Sequence, residues 1–427
     1  MRLLLVSPRF PPSSAADSQR VRMLLPHLAA QGIAVQVLAV DPACVAAPLD
    51  PWQADGLPPD VPVHRVRARS LRWSRVPGLG SVEARCLGAL ARAGDRLLAQ
   101  QRCDRVLVST TAFGCFRLGA RWRRRFGVPF VLDLQDPWVN DYYRHHPDIR
   151  PPGGRLKYAV ADRLHRFHEP RVLRACSGLV AVSAAYLNDI RQRYPFTADL
   201  PCLEMPFPGA PEDFKRLDAI PTSDLPFDPG DGLIHWVSIG RGGADLAAAL
   251  NGFFLALRRY ASPALLDRLR LHFIGTSYAG AGSGVPTILP VAERHGLSHL
   301  VEERTDRLPL SITLASLKAA AALLVIGSDD PAYTASKLVP YLLARRPLLA
   351  LIHACSPAVP LIQRCGGGTV VTFSSGELPA TIAGAIDRVW LDQEQYTQLH
   401  PLDSVALAPH TAAGQAAQLS AFLRTCR

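Results

Sequence analysis

Short apolar runs alternate with helical patterns along this chain, and that alternation is the feature that most constrains its fold. The opening RLLLVS is a continuous apolar run typical of a strand buried on both faces, SQRVRMLLPHLAAQG has helical spacing, and IAVQVLAV is the next apolar run. The series continues with three more runs that end in polar residues: DRVLVST, VPFVLDL and SGLVAVS. Strand, helix and strand at this spacing predict βαβ units and a parallel sheet.

A proline-rich stretch without sustained periodicity interrupts the series between about residues 194 and 232. A second α/β series follows it, with the apolar runs LIHWVSIG, LRLHFIG, ALLVIG and PLLALI. The length of 427 residues also suits two domains. We therefore predict a first domain over residues 1–215, a linker over 216–231, a second domain over 232–404 and a terminal helix within 405–427.

Composition indicates a folded chain, because 48% of the residues are hydrophobic and 19% are charged. The opening apolar run is too short for a signal peptide, and no uninterrupted apolar stretch reaches the roughly 18 residues of a membrane span. The nine cysteines are odd in number and form no C-x-x-C pair. We expect a cytoplasmic protein with reduced thiols and no zinc site.

The net charge of +11 is confined to one half of the chain. Residues 1–215 contain 30 Lys and Arg against 19 Asp and Glu, whereas the remainder contains 17 of each. Such asymmetry favours an anionic partner, and the basic run RWRRRFG at residues 121–127 could lie on a helix that faces a membrane. A solvated arginine-rich surface is the alternative. No nucleic-acid reader motif is present, so we expect no nucleic-acid partner.

The first candidate site is the loop SIGRGGAD, which follows a predicted strand and precedes a helix. Gly240 and Gly242 would let the backbone approach a phosphate closely, and Arg241 could bind that phosphate with two hydrogen bonds. A plain turn with a solvated arginine is the alternative. The loop is not G-x-G-x-x-G, which argues against nicotinamide or flavin binding.

The second candidate is the pair Ser336 and Lys337, which precedes a helix and follows the strand ALLVIG and the acidic loop SDDP. A lysine in the first turn conflicts with the helix dipole, because that end of a helix favours anions. An anionic ligand would remove the conflict. Alternatively, the lysine extends into solvent or pairs with Asp329 or Asp330.

The third candidate is the stretch VLDLQDPWVNDYYRHHPDIR, which begins in a predicted strand and continues into a loop rich in polar and aromatic residues. Its carboxylates and imidazoles could bind sugar hydroxyls or take a proton from an acceptor, and its aromatic rings could stack on a sugar. Capping by Asp136 and turn formation by the rest are the alternative, and no metal-ligand spacing is present. The candidate residues are Asp133, Asp136, Trp138, His145 and His146.

Together these motifs resemble the retaining GT-B glycosyltransferases of family four over nearly the whole chain. The resemblance rests on RLLLVSPRFPP, GIAVQVLAV, EPRVLRACSGLVAVS, WVSIGRGG and ASKLVPYLLARRPLLAL. It implies an α/β fold with two Rossmann-like doubly wound parallel-sheet domains, an interdomain cleft and a C-terminal helix that crosses back to the first domain. The first domain would bind the acceptor and the second the nucleotide sugar.

The resemblance also implies roles for individual residues. Gly240 and Arg241 match a glycine-arginine pair that contacts the donor diphosphate, and DLQDPW resembles a segment of polysaccharide-assembly members in which Asp136 faces the cleft. Asp136, Arg241 and Lys337 are the implied catalytic residues. The implied donor-binding residues are Gly240, Arg241, Gly242, Asp330, Tyr333, Ser336 and Lys337.

Two positions depart from the family pattern. Ala332 and Pro340 stand where family members usually carry glutamates that hold the donor sugar and the ribose. Asp329 or Asp330 could replace the first of them.

The function that the resemblance implies is transfer of a sugar from a nucleotide sugar to a lipid-linked, polysaccharide or small-molecule acceptor. It would proceed without a metal or other cofactor and with retained configuration, in the cytoplasm or at an anionic membrane face. A catalytically silent glycan- or partner-binding protein and a nucleotide-sugar epimerase are the alternatives.

Overall fold

The structure is a computed structural model that describes residues 1–75, 80–141, 144, 154–279, 282–331 and 337–426. The chain forms two units, of which the first comprises Met1–Pro208 and Ala412–Arg427 and the second comprises Gly209–Thr411. The stretch 216–231, interpreted from the sequence as a linker, belongs to the second unit. Leu217 and Phe227 are buried there, which explains why this proline-rich segment is part of a folded unit.

A seven-stranded parallel sheet forms the centre of the first unit, with the strand order β3-β2-β1-β4-β5-β6-β7. The strands are Arg2–Val6 (β1), Ala34–Val40 (β2), Val63–Val66 (β3), Arg105–Ser109 (β4), Phe130–Leu134 (β5), Gly178–Ala181 (β6) and Cys202–Glu204 (β7). The helices are Gln19–Leu28 (α1), Pro51–Asp55 (α2), Val82–Gln100 (α3), Arg117–Phe126 (α4), Arg155–Leu173 (α5) and Ala184–Arg193 (α6).

Both faces of this sheet are buried, as its uninterrupted apolar strands predict. Leu4 and Val6 of β1 lie in one hydrophobic cluster, whereas Leu3 and Leu5 lie in another. Successive side chains of a strand point to opposite faces, so the two clusters are the two layers between the sheet and its helices.

The C-terminal helix, Ala412–Thr425, crosses back and packs on the first unit. Its Leu419 and Leu423 share a hydrophobic cluster with Leu24 and Leu28 of α1. Gln415 adds a hydrogen bond from Nε2 to the Pro206 carbonyl oxygen at 2.7 Å. This agrees with the helix that the resemblance implied.

The second unit contains a six-stranded parallel sheet with the order β10-β9-β8-β11-β12-β13. The strands are Ile234–Ile239 (β8), Leu269–Ile274 (β9), Val301–Arg304 (β10), Ala322–Ile326 (β11), Leu348–His353 (β12) and Thr369–Phe373 (β13). The helices are Pro211–Lys215 (α7), Ala247–Tyr260 (α8), Pro263–Arg268 (α9), Leu289–Arg294 (α10), Leu310–Ala319 (α11), Leu338–Leu343 (α12), Ala358–Cys365 (α13), Pro379–Ile386 (α14) and Ser404–Leu407 (α15). A π-helical turn, Asp387–Leu391, follows α14.

Each sheet has one point at which the strand order reverses direction, between β1 and β4 in the first unit and between β8 and β11 in the second. Ligands of doubly wound sheets bind outside the carboxyl ends of the strands at such switch points. The loops that follow these four strands are therefore where a site is expected in each unit. No helix in the described part of the chain is long and apolar enough to cross a membrane.

Candidate functional site

The loop after β8 begins with a glycine that no other residue could replace without strain. Gly240 has a φ of 145°, and its amide donates a hydrogen bond to the Ile274 carbonyl at 2.9 Å. A Cβ at this position would lie 2.9 Å from the Lys337 ammonium nitrogen. Glycine is therefore needed both for the backbone conformation and for the lysine side chain that lies beside it.

Arg241 is held in this loop by a carboxylate four residues further along. Its Nη1 and Nη2 lie 2.8 and 2.6 Å from the two carboxylate oxygens of Asp245. This pair keeps the pKa of Asp245 below its ordinary value, chiefly through the hydrogen bonds from the guanidinium. Gly243, with a φ of 150°, makes room for the pair, because a Cβ there would lie 2.5 Å from Asp245 Oδ1. The arginine is thus oriented, unlike a freely solvated side chain.

Lys337 lies immediately before α12 and brings a second positive charge to the same loop. Removal of water from around the ammonium, together with the neighbouring charge of Arg241, lowers the pKa of Lys337 to about 8. Across the described ranges, no carboxylate forms an ion pair with this lysine, and the pairing with Asp329 or Asp330 considered from the sequence is not formed. Arg241 and Lys337 share one local carboxylate, Asp245, and the positive charge that is left favours an anion beside them.

Tyr341 of α12 fixes the end of β8, and the sequence did not indicate this role. Its hydroxyl accepts a hydrogen bond from the Ile239 amide at 2.6 Å and donates one to the Ile239 carbonyl at 3.0 Å. The strands β8 and β11 pair only through Ala322 with Trp236 and Leu323 with Val237, so they separate before Ile239. The tyrosine hydroxyl therefore bonds the last residue of β8 at the switch point, directly before Gly240.

A buried polar network occupies the switch point of the first unit, and the sequence did not indicate it either. Asp17 Oδ2 accepts hydrogen bonds from Thr110 Oγ1 at 2.7 Å and from the Thr111 amide at 2.9 Å. Arg9 Nε lies 3.4 Å from the same oxygen. Gln135 donates from Nε2 to the Asp17 carbonyl at 2.9 Å. These residues follow β1, β4 and β5, so they line the carboxyl edge of the sheet.

Asp136 lies next to this network and is exposed. Protein atoms around its carboxylate raise the pKa of Asp136, the charge of Asp17 adds to that increase, and the charge of Arg9 opposes it. A carboxylate with a raised pKa is a stronger base than an ordinary surface aspartate. The edge of the first sheet thus presents a carboxylate and a guanidinium to a polar ligand.

Residues 18–200, most of the first unit, match a family model described as a glycosyl transferase 4-like domain. The chain is also similar to several solved structures. One is HepE of Anabaena in complex with UDP and glucose, at 14% identity over 99% of this chain and 95% of that one, with a TM-score of 0.55. Another is a UDP-forming α,α-trehalose-phosphate synthase of Burkholderia xenovorans in complex with glucose-6-phosphate, at 13% identity over 99% and 100%, with a TM-score of 0.61.

The chain has the GT-B fold, and residues 18–200 of its first unit match the glycosyl transferase 4-like model. The fold class and the resemblance stated from the sequence are therefore confirmed. No curated protein sequence matches the chain. The family match and the shared fold together support a glycosyltransferase.

The GT-B structure brings together three of the residues implied to bind the donor: Gly240, Arg241 and Lys337. Gly242 lies in the same loop, where its amide donates to the Thr276 carbonyl at 2.8 Å and anchors the loop on the end of β9. Asp330 is exposed, and its backbone amide donates to Ser328 Oγ at 3.1 Å.

Pro340 is the third residue of α12 and is partly buried. A proline has neither a side-chain acceptor nor a backbone donor, so a ribose would have to be held by other groups. Five positions discussed from the sequence lie outside the described residues: Ala332, Tyr333, Ser336, His145 and His146.

Asp133 does not present its carboxylate to a substrate. It is buried in β5, where Ser109 Oγ donates a hydrogen bond to Oδ2 at 2.6 Å and Arg20 Nε lies 3.3 Å from the same oxygen. Burial raises the pKa of Asp133, whereas the charge of Arg20 and the hydrogen bond from Ser109 oppose the increase. The expectation that Asp133 contacts the acceptor is thus replaced by a structural role within the first unit.

Trp138 is a core residue and does not offer a face to a sugar. Its indole is 3% exposed, lies nearly parallel to Phe113 at 6.3 Å between ring centres, and meets Phe116 edge-on at 5.2 Å. His165 of α5 lies on another side, 6.5 Å away. The surrounding aromatic rings occupy the surface that an acceptor sugar would need.

The basic run in α4 is used largely for packing within the first unit. Arg121 and Arg125 both pair with Asp95 of α3, while Arg123 donates to the Ala175 carbonyl at 2.9 Å. Trp122 is fully buried. A continuous membrane-facing surface formed by this run alone is therefore not supported. In the described ranges, no group of three or more His, Cys, Asp and Glu residues is arranged to hold a metal ion.

Proposed function

We propose that this protein transfers a sugar from a nucleotide sugar to a hydroxyl group of a lipid-linked, polysaccharide or small-molecule acceptor. The observation that carries the proposal is that Lys337 lies near Arg241 and beside Gly240, at the switch point of the second sheet. A lysine with a lowered pKa and no carboxylate partner among the described residues is costly without an anionic ligand.

The departing nucleoside diphosphate gains negative charge as the bond to the sugar breaks. Arg241 is oriented by Asp245, and Lys337 lies beside the same loop, so both cations can bind the diphosphate without large rearrangement. Preorganised charges of this kind stabilise the transition state more than the ground state, because the diphosphate carries more negative charge in the transition state. We assign the main rate enhancement to these two side chains.

Two fixed cations would neutralise the diphosphate in place of a divalent metal, and the proposal includes metal independence. Turnover that is unchanged by a chelator and by added Mg²⁺ is expected. Strict dependence on Mg²⁺ would contradict this part of the proposal.

Asp136 is the proposed acceptor-side group. Its exposed carboxylate and raised pKa suit a hydrogen bond from the attacking hydroxyl, and Arg9 and Asp17 fix the polar edge around it. We propose that it orients the acceptor or receives its proton. The proposal includes retention of the anomeric configuration, which the family resemblance implies. The anomeric coupling constant of the product in an NMR spectrum tests it.

UDP is the first nucleotide to test, because complexes of HepE contain UDP or UDP-glucose and the trehalose-phosphate synthases are described as UDP-forming. A lipid-linked acceptor would also require peripheral contact with an anionic membrane, which the proposal includes.

The test is calorimetric titration of the full chain with UDP, ADP and GDP, followed by product analysis with the matching nucleotide-glucose. We expect at least one diphosphate to bind and the sugar to be transferred or slowly hydrolysed. Asp136→Asn should leave diphosphate binding unchanged while transfer falls. Equal loss of binding and transfer in that variant would contradict the separate roles.

A second candidate is a catalytically silent GT-B protein, and Pro340 is the observation that favours it. Without the usual glutamate at this position, the ribose lacks its expected partner. Failure of every nucleoside diphosphate to bind the folded chain would favour this function over glycosyl transfer.

A further inference from the structure

The helix α5, Arg155–Leu173, exposes a row of large apolar side chains on one face. Leu156, Val160, Leu164 and Phe167 are 87%, 63%, 53% and 51% exposed. Their spacing of four, four and three residues places them on one side of an α-helix. Single exposed apolar residues are ordinary, but a continuous row over three turns is a surface that excludes water when covered. We call these four residues the α5 apolar row.

Among the described residues, the exposed charges that α5 and Arg174 place beside the α5 apolar row all have one sign. The exposed charged residues of this helix are Arg155, Lys157, Arg163 and Arg171, and Arg174, which follows the helix, is also exposed. The guanidinium of Arg171 lies over the ring of Phe167, with its carbon 3.5 Å from the ring centre. Basic side chains around an apolar row match the interface of an anionic bilayer, in which the charged ends reach the headgroups while the stems lie against the acyl chains.

The acidic residues of α5 face inward, so they do not interrupt this surface. Asp162 is buried, accepts hydrogen bonds from Arg166 Nε and is also paired with Arg144 at 2.8 Å. Glu169 is buried and accepts a hydrogen bond from the Tyr194 hydroxyl at 2.9 Å. The separation of inward carboxylates from outward cations distinguishes this helix from an ordinary solvated helix, which mixes both signs on its outer face.

The positive surface continues from α5 onto the neighbouring helix. Phe167 and Arg171 line an open groove together with Arg117 and Arg124 of α4 and Leu87 of α3. Asp95, a carboxylate on α3, is neutralised by Arg121 and Arg125. The basic excess of the first half of the sequence is therefore concentrated in part beside the α5 apolar row.

From this combination we propose that the outer face of α5 docks on an anionic phospholipid bilayer, with the α5 apolar row entering the headgroup region. The inference extends the proposed function by naming the membrane contact, and only its relevance to a lipid-linked acceptor rests on that function. A protein partner or a second copy of this chain would not require the uniformly basic border, and a nucleic acid would not require the apolar row.

Co-sedimentation of the full chain with vesicles tests the proposal. We expect binding to vesicles of phosphatidylcholine mixed with phosphatidylglycerol, little binding to phosphatidylcholine alone, and release as salt is raised. The double variant Leu164→Glu with Phe167→Glu should lower the partition coefficient at least about tenfold, because two apolar anchors are replaced by charges that anionic lipid repels.

The matched control is Leu378→Glu with Val405→Glu, which changes two side chains of the second unit that are 69% and 80% exposed. This control should bind vesicles like the unmodified chain. A charge arm, Lys157→Glu with Arg163→Glu, should remove the preference for anionic vesicles. Unchanged circular dichroism and melting temperature confirm that each variant is folded.

Three results would overturn the proposal: no preference of the unmodified chain for anionic vesicles, equal binding by the Leu164 and Phe167 variant, or conversion of a stable dimer to a monomer by that variant. Diphosphate titration of the same proteins separates the two proposals. Vesicle binding without diphosphate binding would leave the membrane inference standing and contradict the donor site, and the opposite result would do the reverse.

Discussion

Replacement of Lys337 by methionine removes the ammonium while keeping an unbranched side chain of similar length. In the free protein this ammonium is unfavourably placed, because it is partly desolvated and lies near Arg241. We therefore expect Lys337→Met to fold normally, with a melting temperature equal to or above that of the unmodified protein. A ligand-binding role predicts that the loss appears only when the diphosphate is added.

The size of that loss follows from the charge removed. At pH 7 a lysine with a pKa of about 8 is mostly protonated. A hydrogen bond to a charged group contributes about 1.5–3 kcal/mol net, although the bare Coulomb attraction is larger. A loss of about 2–3 kcal/mol of binding free energy raises the dissociation constant about 30- to 150-fold, since each 1.4 kcal/mol is tenfold.

Isothermal titration calorimetry with UDP measures the effect directly, and differential scanning calorimetry of the same samples measures stability. The matched control is Lys318→Met, because Lys318 belongs to the same unit, is exposed and pairs with Asp218 at 2.8 Å. That variant should bind UDP like the unmodified protein.

The reasoning fails if Lys337→Met binds UDP within about threefold of the unmodified protein while Lys318→Met behaves identically. It also fails if Lys337→Met lowers the melting temperature by several degrees, because a stabilising lysine would then have been misread as a binding group. Weak binding with intact or improved stability is the one pattern that supports an anion site.

Three further predictions test other contacts. Affinity for UDP should change little between pH 7 and about pH 8 and should fall at higher pH, by up to about tenfold per unit. The free Lys337 loses its proton at about pH 8, whereas the bound diphosphate raises the pKa of this lysine. A flat calorimetric affinity between pH 7 and 9.5 would contradict this. Tyr341→Phe should lower the free energy of unfolding, measured by chemical denaturation, by about 1–3 kcal/mol and should weaken UDP binding, since both polar backbone groups of Ile239 lose their partner. Unchanged binding would show that Gly240 is positioned without the Tyr341 hydroxyl. Trp138→Ala should lower the free energy of unfolding by about 3–5 kcal/mol, as expected for a large buried aromatic residue; a change in acceptor specificity without loss of stability would restore its predicted role in the site.

The fold could be predicted because its determinants are local. Buried parallel strands require continuous apolar runs, and the helices between them require their own spacing, so the alternation is legible in a single chain. Arg241 and Lys337 could be predicted for a related reason. Arg241 lies just after the end of β8, and Lys337 follows the loop after β11. These two strands are the neighbours at which the sheet reverses direction.

The failed expectations concern burial, which local patterns do not reveal. Trp138 lies in a polar, turn-rich stretch, yet Phe113 and Phe116 from the preceding strand-to-helix connection cover it. Asp133 and Asp136 are only three positions apart in the sequence, but the side chain of Asp133 is buried beside Arg20. Contacts of this kind depend on residues far apart in sequence.

The missed residues have the same origin. In the sequence Asp17 is an ordinary aspartate before a helix, and its importance arises only because the fold brings Thr110 and Thr111, which follow β4, to its carboxylate. Tyr341 reads as one of several apolar positions in a short helix, and its hydroxyl gains a role only because β8 and β11 separate. The rule that ligands bind at switch points could have directed attention to the ends of β1 and β4 and of β8 and β11, where these residues act.

The electrostatics of the second unit explain why a site would be built from unlike cations. Arg241 keeps its charge at every accessible pH and has its own carboxylate, so it can be oriented at little cost in the absence of ligand. Lys337 has no such partner in the described part of the chain, and its lowered pKa measures the cost of placing a second cation there. A diphosphate removes that cost by supplying the missing negative charge. The arginine therefore provides geometry and the lysine provides the differential affinity, so exchanging the two residues should preserve net charge yet impair binding.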